Sequence, residues 1–341
     1  MFVAKLSGDL KKVVWSTYIG SPGLDWPRGG IALDGQDNVY VVGGVDSAAF
    51  PTTAGAYQRK LKGPRDAAVV KLKSDGSGLV WSTLLGGSNW DGLMGARVDE
   101  RGNVYVVGHT GSSDFPVTAG AAQGKHGGKS DCFVAKLSAN GGRLLYSTYL
   151  GGADNEFAEH RPWLCADGSV LLTGVSASRD FPVTAGALQG QLKGKNDGFV
   201  VKVSPDGKRF AFATLLGGGQ SEFYLMPKPD KGGDIYFVGT SQSGDFPVTA
   251  HALDKSYGGG RGYDGDGVFA IASGDGRKLK YATFLGGKGP DLIRGLALGP
   301  KGEVYLVGST SSADFPVSAN AYQKQPGGKS DAFVVKLVPV E

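Results

Sequence analysis

The sequence predicts an all-β protein, a five-bladed β-propeller of four-stranded antiparallel blades, from three observations. A Phe-Pro step recurs every 65 to 69 residues, at Phe50, Phe115, Phe181, Phe246 and Phe315. Each repeat holds four alternating apolar runs bounded by Gly, Asp, Ser and Pro, and none shows a helical period. The 58 Gly and 16 Pro suit short strands joined by tight turns. Four antiparallel strands repeated radially form propeller blades.

We name the four strands of a repeat A, B, C and D. In the second repeat they are predicted at Ala96–Asp99, Asn103–Gly108, Cys132–Leu137 and Arg143–Leu150. The links from A to B and from C to D are short, as in hairpins. The link from B to C is longer and carries the sequence DFPVTAGA.

The two ends of the chain are out of phase with the blades. The chain opens on a C copy (Phe2–Leu6) and a D copy (Val13–Ile19), and it ends on a C copy (Phe333–Leu337). We therefore expect Val13–Ile19 to complete the last blade and close the ring. The surplus Phe2–Leu6 is then an extra edge strand or a remnant of a longer array. The prediction is one domain over 1–341, with blades near 28–86, 92–150, 160–216, 223–285, and 292–337 plus 12–19.

Four motifs of the repeat resemble a known family. The sequences YSTYLGG, GNVYVVG, DFPVTAGA and DAFVVKL resemble the bacterial β-propeller repeats called SBBP. The resemblance covers essentially the whole chain and implies a propeller fold and a secreted or cell-surface location. It implies little about activity. The family name presumes seven blades, so five repeats depart from it.

Composition excludes several classes of partner. The net charge is only +4 and no run of Lys or Arg exceeds two residues, so we expect no nucleic-acid partner. Cys132 and Cys165 are predicted to be free thiols. No apolar run approaches a membrane span, and Met1 leads directly into a strand without a signal peptide. We expect a monomer that does not insert into membranes, with a cytoplasmic location as the alternative to the surface.

Repeated acidic residues predict structural roles first. An Asp precedes Phe-Pro in four repeats, and a second Asp precedes every C strand, at Asp66, Asp131, Asp197, Asp266 and Asp331. Such residues accept hydrogen bonds from loop amides. The alternative is a Ca²⁺ site in each blade, but only Asp264 and Asp266 have the close spacing that this requires. The four histidines have no metal-ligand spacing, so we predict no cofactor.

A further acid recurs in the loop from D to the next A strand, which a propeller places at the mouth of its channel. The five acids are Asp25, Asp91, Glu156, Glu222 and Asp291. Convergent loops on a rigid scaffold favour a ligand site there. The alternative is that each acid caps a turn.

The third and fourth repeats abandon the Gly-rich pattern at this loop, in 152–163 and 221–228. They add Glu159, His160, Arg161, Trp163, Tyr224 and Lys228, and other repeats add Trp26, Arg28, Trp90, Arg97 and Arg294. Arg97 and Lys228 replace small or apolar residues of the innermost strand. A long cation there needs an acid or a ligand. We predict a ligand cluster, with a plug of ion pairs as the alternative.

Three functions fit these residues. The first is a binding module for a glycan or an acidic small molecule, with aromatic faces and Arg contacts. The second is a glycan-active enzyme that is similar, by analogy, to five-bladed arabinanases, with Glu156 or Glu222 as acid and Asp25 or Asp91 as base. Its lyase variant uses Tyr224 or His160 as base and Arg161 or Arg97 to neutralise a uronate. The third is a structural propeller of a larger surface protein.

Overall fold

The computed structural model describes residues 1–158, 161–260 and 265–338, apart from the side chain of Leu225. Every regular element among these residues is a β-strand, and none of them forms a helix long and apolar enough to cross a membrane. The chain divides into two compact units. The first contains Met1–Val170 and Val203–Arg209, and the second contains Leu171–Lys202 and Phe210–Glu341.

The first unit holds a hairpin, two four-stranded antiparallel sheets and two short strands. The hairpin pairs β1 (Phe2–Leu6) with β2 (Val13–Tyr18). The sheets have the orders β3-β4-β5-β6 and β10-β9-β8-β7. Their strands are β3 (Asp25–Leu33), β4 (Val39–Val45), β5 (Asp66–Leu72), β6 (Leu79–Leu85), β7 (Asp91–Val98), β8 (Val104–Thr110), β9 (Asp131–Leu137) and β10 (Leu144–Leu150), followed by β11 (Glu156–Ala158) and β12 (Trp163–Leu164).

The second unit continues the same strand order. It contains β13-β14-β15, the four-stranded sheet β16-β17-β18-β19, and the three-stranded sheet β20-β21-β22. The strands are β13 (Val170–Ser176), β14 (Asp197–Val203), β15 (Phe210–Leu216), β16 (Glu222–Pro229), β17 (Ile235–Ser241), β18 (Asp266–Ala272), β19 (Leu279–Leu285), β20 (Asp291–Leu298), β21 (Val304–Thr310) and β22 (Asp331–Leu337). The predicted order A, B, C, D within a repeat is therefore the hydrogen-bonded order of each complete sheet.

Local sequence explains these hairpins. In the turn from β7 to β8, Asp99 accepts the backbone amides of Arg101 and Asn103 on its side chain, and Gly102 takes a positive φ of 77°. All seven residues of β4 and of β5 are buried, because these central strands are covered on both faces. Side chains such as Val42, Leu93 and Phe133 share one apolar core in this unit.

The aromatic rings of four D strands, Trp15, Trp81, Tyr146 and Phe212, each pack on a glycine of a following turn. The Trp81 indole Nε1 donates to the Ala139 carbonyl at 2.8 Å, and Trp15 Nε1 donates to the Ser74 carbonyl at 3.0 Å. A Cβ at Gly141 would lie 2.5 Å from the Trp81 ring. This glycine is therefore required both by its positive φ and by the indole above it.

The N-terminal strands form a hairpin. Val13–Tyr18 pairs antiparallel with Phe2–Leu6, with Val3 opposite Thr17, and the last sheet has the three strands β20-β21-β22. The surplus C copy is a hairpin partner only a short turn away, so the chain entropy lost on pairing is small. Closure of the last blade by 12–19 stays a prediction. Tyr18 is left 91% exposed.

Candidate ligand-binding site

The five acids at the D-to-A loops are held inside the protein. Asp91, Glu156, Glu222 and Asp291 are fully buried, and Asp25 is half-buried. Each carboxylate accepts the backbone N–H of the residue four positions earlier, at 2.8 to 3.1 Å. The donors are Ser21, Gly87, Gly152, Gly218 and Gly287. These contacts are those of residues that shape a loop, whereas an acid acting on a glycan must face it.

Each buried acid also lies beside a second carboxyl group, the Asp at the start of a C strand. A Cβ at Gly86 would lie 2.6 Å from Asp66 Cγ and 2.7 Å from Asp91 Oδ2, so only glycine fits between them. Burial, with the nearby Asp66 charge, raises the pKa of Asp91 to about 7. Asp66 and Asp91 thus hold the loop in shape, although two neighbouring carboxyl groups repel each other when both are charged. We call such a pair a loop fastener.

The second unit repeats this fastener at its own acids. Burial, with the Asp291 charge, raises the pKa of Asp266 to about 7. Burial also raises the pKa of Glu222, whose Oε1 accepts the Ser241 hydroxyl at 2.7 Å. The loop geometry is therefore common to both units and does not by itself distinguish a ligand site.

Tyr224 is a core residue, which corrects its prediction as a ligand platform or a base. It is fully buried, and its hydroxyl donates to the Leu216 carbonyl at 2.7 Å. Its ring packs 5.0 Å from the Phe237 ring, and burial raises its pKa well above the usual value. In the same unit, Lys228 is half-buried on β16 and Arg294 is exposed on β20. The predicted residues Glu159 and His160, like Asp264 of the predicted Ca²⁺ spacing, lie outside the described residues.

The first unit has one surface pocket of about 440 Å³, which we call the arginine–tryptophan pocket and which includes the predicted residue Trp90. Its walls are Asp46, Pro64, Arg65, Trp90, His109 and Phe157. The Arg65 guanidinium carbon lies 3.9 Å from the centre of the Trp26 ring. The His109 ring stands edge-on to Trp90 at 5.3 Å and to Phe157 at 5.4 Å. The pocket therefore combines flat apolar faces with a stacked cation.

The repeat scaffold positions these side chains. Arg65 and Trp90 form a parallel β-bridge, and the Arg65 carbonyl accepts the Asp91 amide at 2.9 Å. A Cβ at Gly44 would lie only 3.2 Å from Arg65 Cδ, so this glycine makes room for the arginine stem. A Cβ at Gly111 would lie 2.9 Å from Trp90 Nε1. The pocket thus lies on backbone that is hydrogen-bonded next to the Asp66 and Asp91 pair.

Two polar atoms of the pocket are buried without a hydrogen-bond partner. They are Arg65 Nε and His109 Nδ1. Burial, together with the charges of Arg28 and Arg65, lowers the pKa of His109 to about 4, so the imidazole is neutral near pH 7. A buried polar atom that lacks a partner is costly, and a ligand that supplied one would recover that free energy.

Two further arginines of the same unit lie close together, Arg97 on β7 and Arg161 between β11 and β12. A Cβ at Gly95 would lie 2.5 Å from Arg161 Cα, and a Cβ at Gly30 would lie 3.9 Å from Arg161 Cζ. Burial, with the charge of Arg161, lowers the pKa of Arg97. The Arg97 guanidinium carbon lies 6.0 Å from the Trp163 ring centre. The two cations are therefore close enough to repel each other.

No arginine takes part in the ion pairs found within 4 Å among residues 1–158, 161–260 and 265–338. The predicted plug of ion pairs is therefore not seen for Arg97 in this part of the chain. Searched over the same residues, no group of three or more His, Cys, Asp or Glu side chains could hold a metal ion.

Sequence reasoning missed Arg65, His109, Asp46 and Phe157. Arg65, His109 and Asp46 stand out once the repeats are aligned on their Phe-Pro steps, whereas Phe157 shares its position with Trp26 and Phe223. At the position of Arg65 the other repeats have Ser130, Asn196, Gly265 and Ser330, and at the position of His109 they have Gly44, Val175, Thr240 and Ser309. A search for departures at every repeat position, rather than at the D-to-A loops alone, would have found them.

The comparisons with known proteins identify no family. No family model matches the chain, and no curated protein matches it. The SBBP resemblance therefore remains a resemblance of motifs.

Solved structures similar to this chain have low identities. A protein of unknown function from Dyadobacter fermentans is 10% identical, with a TM-score of 0.45 over 87% of this chain and 79% of that one. A thermostable family-43 glycoside hydrolase is 12% identical, with a TM-score of 0.36 over 95% and 94%. A quinohemoprotein alcohol dehydrogenase from Pseudomonas putida is 12% identical, with a TM-score of 0.39 over 86% of this chain and 40% of that one. TM-scores below 0.5 carry no inference about what this chain binds.

Proposed function

We propose that the protein is a binding module for an acidic saccharide, which it holds in the arginine–tryptophan pocket. The observation that carries the proposal is that two side chains lining one pocket, Arg65 and His109, each hold a buried nitrogen without a hydrogen-bond partner, Arg65 Nε and His109 Nδ1. An arginine fork binds a carboxylate through two parallel hydrogen bonds. A neutral imidazole has one nitrogen that donates a hydrogen bond and one that accepts, and a sugar hydroxyl can pair with either.

The rest of the pocket favours a sugar acid over a small inorganic anion. Trp90 and Phe157 offer apolar faces to the C–H groups of a pyranose ring. Asp46, whose Oδ1 accepts the Leu24 amide at 2.7 Å, also lines the pocket. Its carboxylate would accept a hydrogen bond from a sugar hydroxyl, a donor that sulfate lacks. The ligand therefore carries both hydroxyl groups and a carboxylate.

Calorimetric titration with galacturonate, glucuronate and the matching neutral sugars tests the proposal. The wild type should bind the acids and not the neutral sugars. Arg65→Ser installs the residue of the second and fifth repeats and should weaken binding by about 10- to 100-fold, the effect of one charged hydrogen-bonding group. Arg59→Ser removes an exposed loop arginine and should change nothing. Equal binding by the wild type and Arg65→Ser would refute the proposal.

A polysaccharide lyase is the second candidate, since a cation and a neutral imidazole share one wall of the pocket. Arg65 would neutralise the uronate carboxylate, and His109 would accept the proton from C5. The C4–O glycosidic bond would break as the C4=C5 double bond forms, and water would protonate the leaving oxygen. Its test is the ultraviolet absorbance of an unsaturated product from polygalacturonate, compared between the wild type and His109→Thr. Binding without such a product would leave only the binding module. If neither binding nor a product is detected, the structural propeller is favoured.

We further propose that the repeats belong to a propeller of five blades. The A-B-C-D order in each complete sheet supports it. Small-angle X-ray scattering tests it, because a closed ring gives the radius of gyration of a compact chain of this length, whereas an open array gives a larger value.

A further inference from the structure

The cationic surface of the first unit extends beyond the pocket that the proposed function uses. Arg28 lies two residues after Trp26 on β3, and its positive charge helps to lower the pKa of His109. Gly30, two residues later, lies beside the Arg161 guanidinium. The register of β3 with β4 breaks between Pro27 and Ile31, so this bulged part of the strand lies between the pocket and the inner arginines.

The inner arginines are built into the scaffold rather than placed on a free surface. The backbone of Arg161 packs directly against Gly95 of β7, where any side chain would collide with it. Arg97 is half-buried on the same strand, with Trp163 at one side. Holding two like charges together at a partly buried position is unfavourable unless an anion lies between them.

The repeat does not require a cation at either position. At the position of Arg97 the other repeats carry Ala32, Leu164, Lys228 and Ala297. At the position of Arg161, counted back from Leu164, they carry Gly29, Met94, Leu225 and Arg294. Arg97 thus departs from the small or apolar residue of three repeats, whereas the arginine at position 161 recurs in the fifth repeat.

We propose that Arg97 and Arg161 form a second anion subsite, so that the ligand of this module is an acidic oligosaccharide with at least two carboxylate groups. This inference rests on the proposed function, because the first carboxylate is the one held by Arg65. The second carboxylate lies between the two inner guanidinium groups, and the intervening sugar lies along the bulge of β3. Arg28, exposed beside that bulge, adds attraction without a fixed contact.

Titration of the full chain with galacturonic acid and with its dimer and trimer tests the subsite. The wild type should bind the trimer at least tenfold more tightly than the monomer. Arg97→Ala and Arg161→Met should each reduce the trimer affinity to near that of the monomer, while the monomer affinity stays unchanged. Arg101→Ala, which removes an exposed cation from the turn after β7, is the control for net charge and should keep the difference.

The outcomes separate the two proposals. If the wild type binds the monomer and the trimer equally well, the second subsite is wrong and the proposed function stands. If both Arg97→Ala and Arg161→Met keep the trimer preference, the subsite is also wrong. If the wild type binds none of the three sugars, both proposals are wrong. Thermal unfolding of each variant shows whether it is folded, and alanine is already the residue of two other repeats at the Arg97 position.

Discussion

The first complete sheet, β3-β4-β5-β6, and the sheet β16-β17-β18-β19 share a backbone plan but differ in side-chain chemistry. In both, an Asp begins the C strand and a buried acid follows the D strand, at Asp66 with Asp91 and at Asp266 with Asp291. The residue before the first Asp is Arg65, stacked on Trp26. The residue before the second is Gly265, whose Cβ would lie 2.0 Å from the Ser241 carbonyl oxygen. The repeat supplies the scaffold, and the departures from it supply the candidate chemistry.

The largest expected effect concerns the shared acid pair. The pKa of Asp91 is about 7 in the folded protein, above its usual value of 3.8, so the folded state holds a proton that the unfolded state releases. Stability should therefore fall as the pH rises from about 4 to about 7, by roughly 1.4 kcal/mol per pH unit for this group. Asp91→Asn should flatten this slope and be more stable than the wild type at pH 8. Urea unfolding at several pH values measures it, with exposed Asp37→Asn as the control.

The glycine between the two acids should give the next effect. A Cβ at Gly86 would meet both carboxyl groups, so Gly86→Ala should lower the free energy of unfolding by about 3 kcal/mol. Gly244→Ala is the matched control, since a Cβ there meets nothing within 4 Å. Equal stability of the two variants in denaturant unfolding would mean that the acid pair does not restrict the loop.

The hydrogen bond from the Trp81 indole to the turn at Ala139 should have a smaller effect on stability. Trp81→Phe installs the residue type that the third repeat has at Phe212 and removes the hydrogen bond to the Ala139 carbonyl. We expect a loss of about 1 kcal/mol in the free energy of unfolding, the usual net value of one such bond. A loss far above this would show that indole packing, rather than the hydrogen bond, is the main contribution.

The smallest effect on stability belongs to the residue with the largest proposed effect on binding. Arg65→Ser should change the free energy of unfolding by less than about 0.5 kcal/mol, because serine already occupies this position in two repeats and no ion pair is lost. Thermal unfolding measures it. A strong destabilisation would show that the stack of Arg65 on Trp26 serves the fold, which would remove the contrast between the two sheets.

The sequence predicts the strand order well because Gly, Asp and apolar alternation recur at fixed positions in every repeat. The recurring Asp residues before each C strand were assigned to loop amides, and Asp66 accepts those of Lys62 and Gly63. The pairing of the chain ends was harder to predict, because two C copies, Phe2–Leu6 and Phe333–Leu337, could each pair with the D copy Val13–Ile19. The spacing of the repeats does not say which of them does. The pocket was harder still, because Arg65, Trp26 and His109 are distant in sequence and meet only through the sheet geometry.

The most direct test of the account is a crystal structure of the protein with galacturonate bound. We predict the sugar in the arginine–tryptophan pocket, with its carboxylate within hydrogen-bond distance of the Arg65 guanidinium and a hydroxyl within hydrogen-bond distance of the His109 imidazole. Galacturonate bound elsewhere on the chain, with Arg65 and His109 untouched, would contradict it.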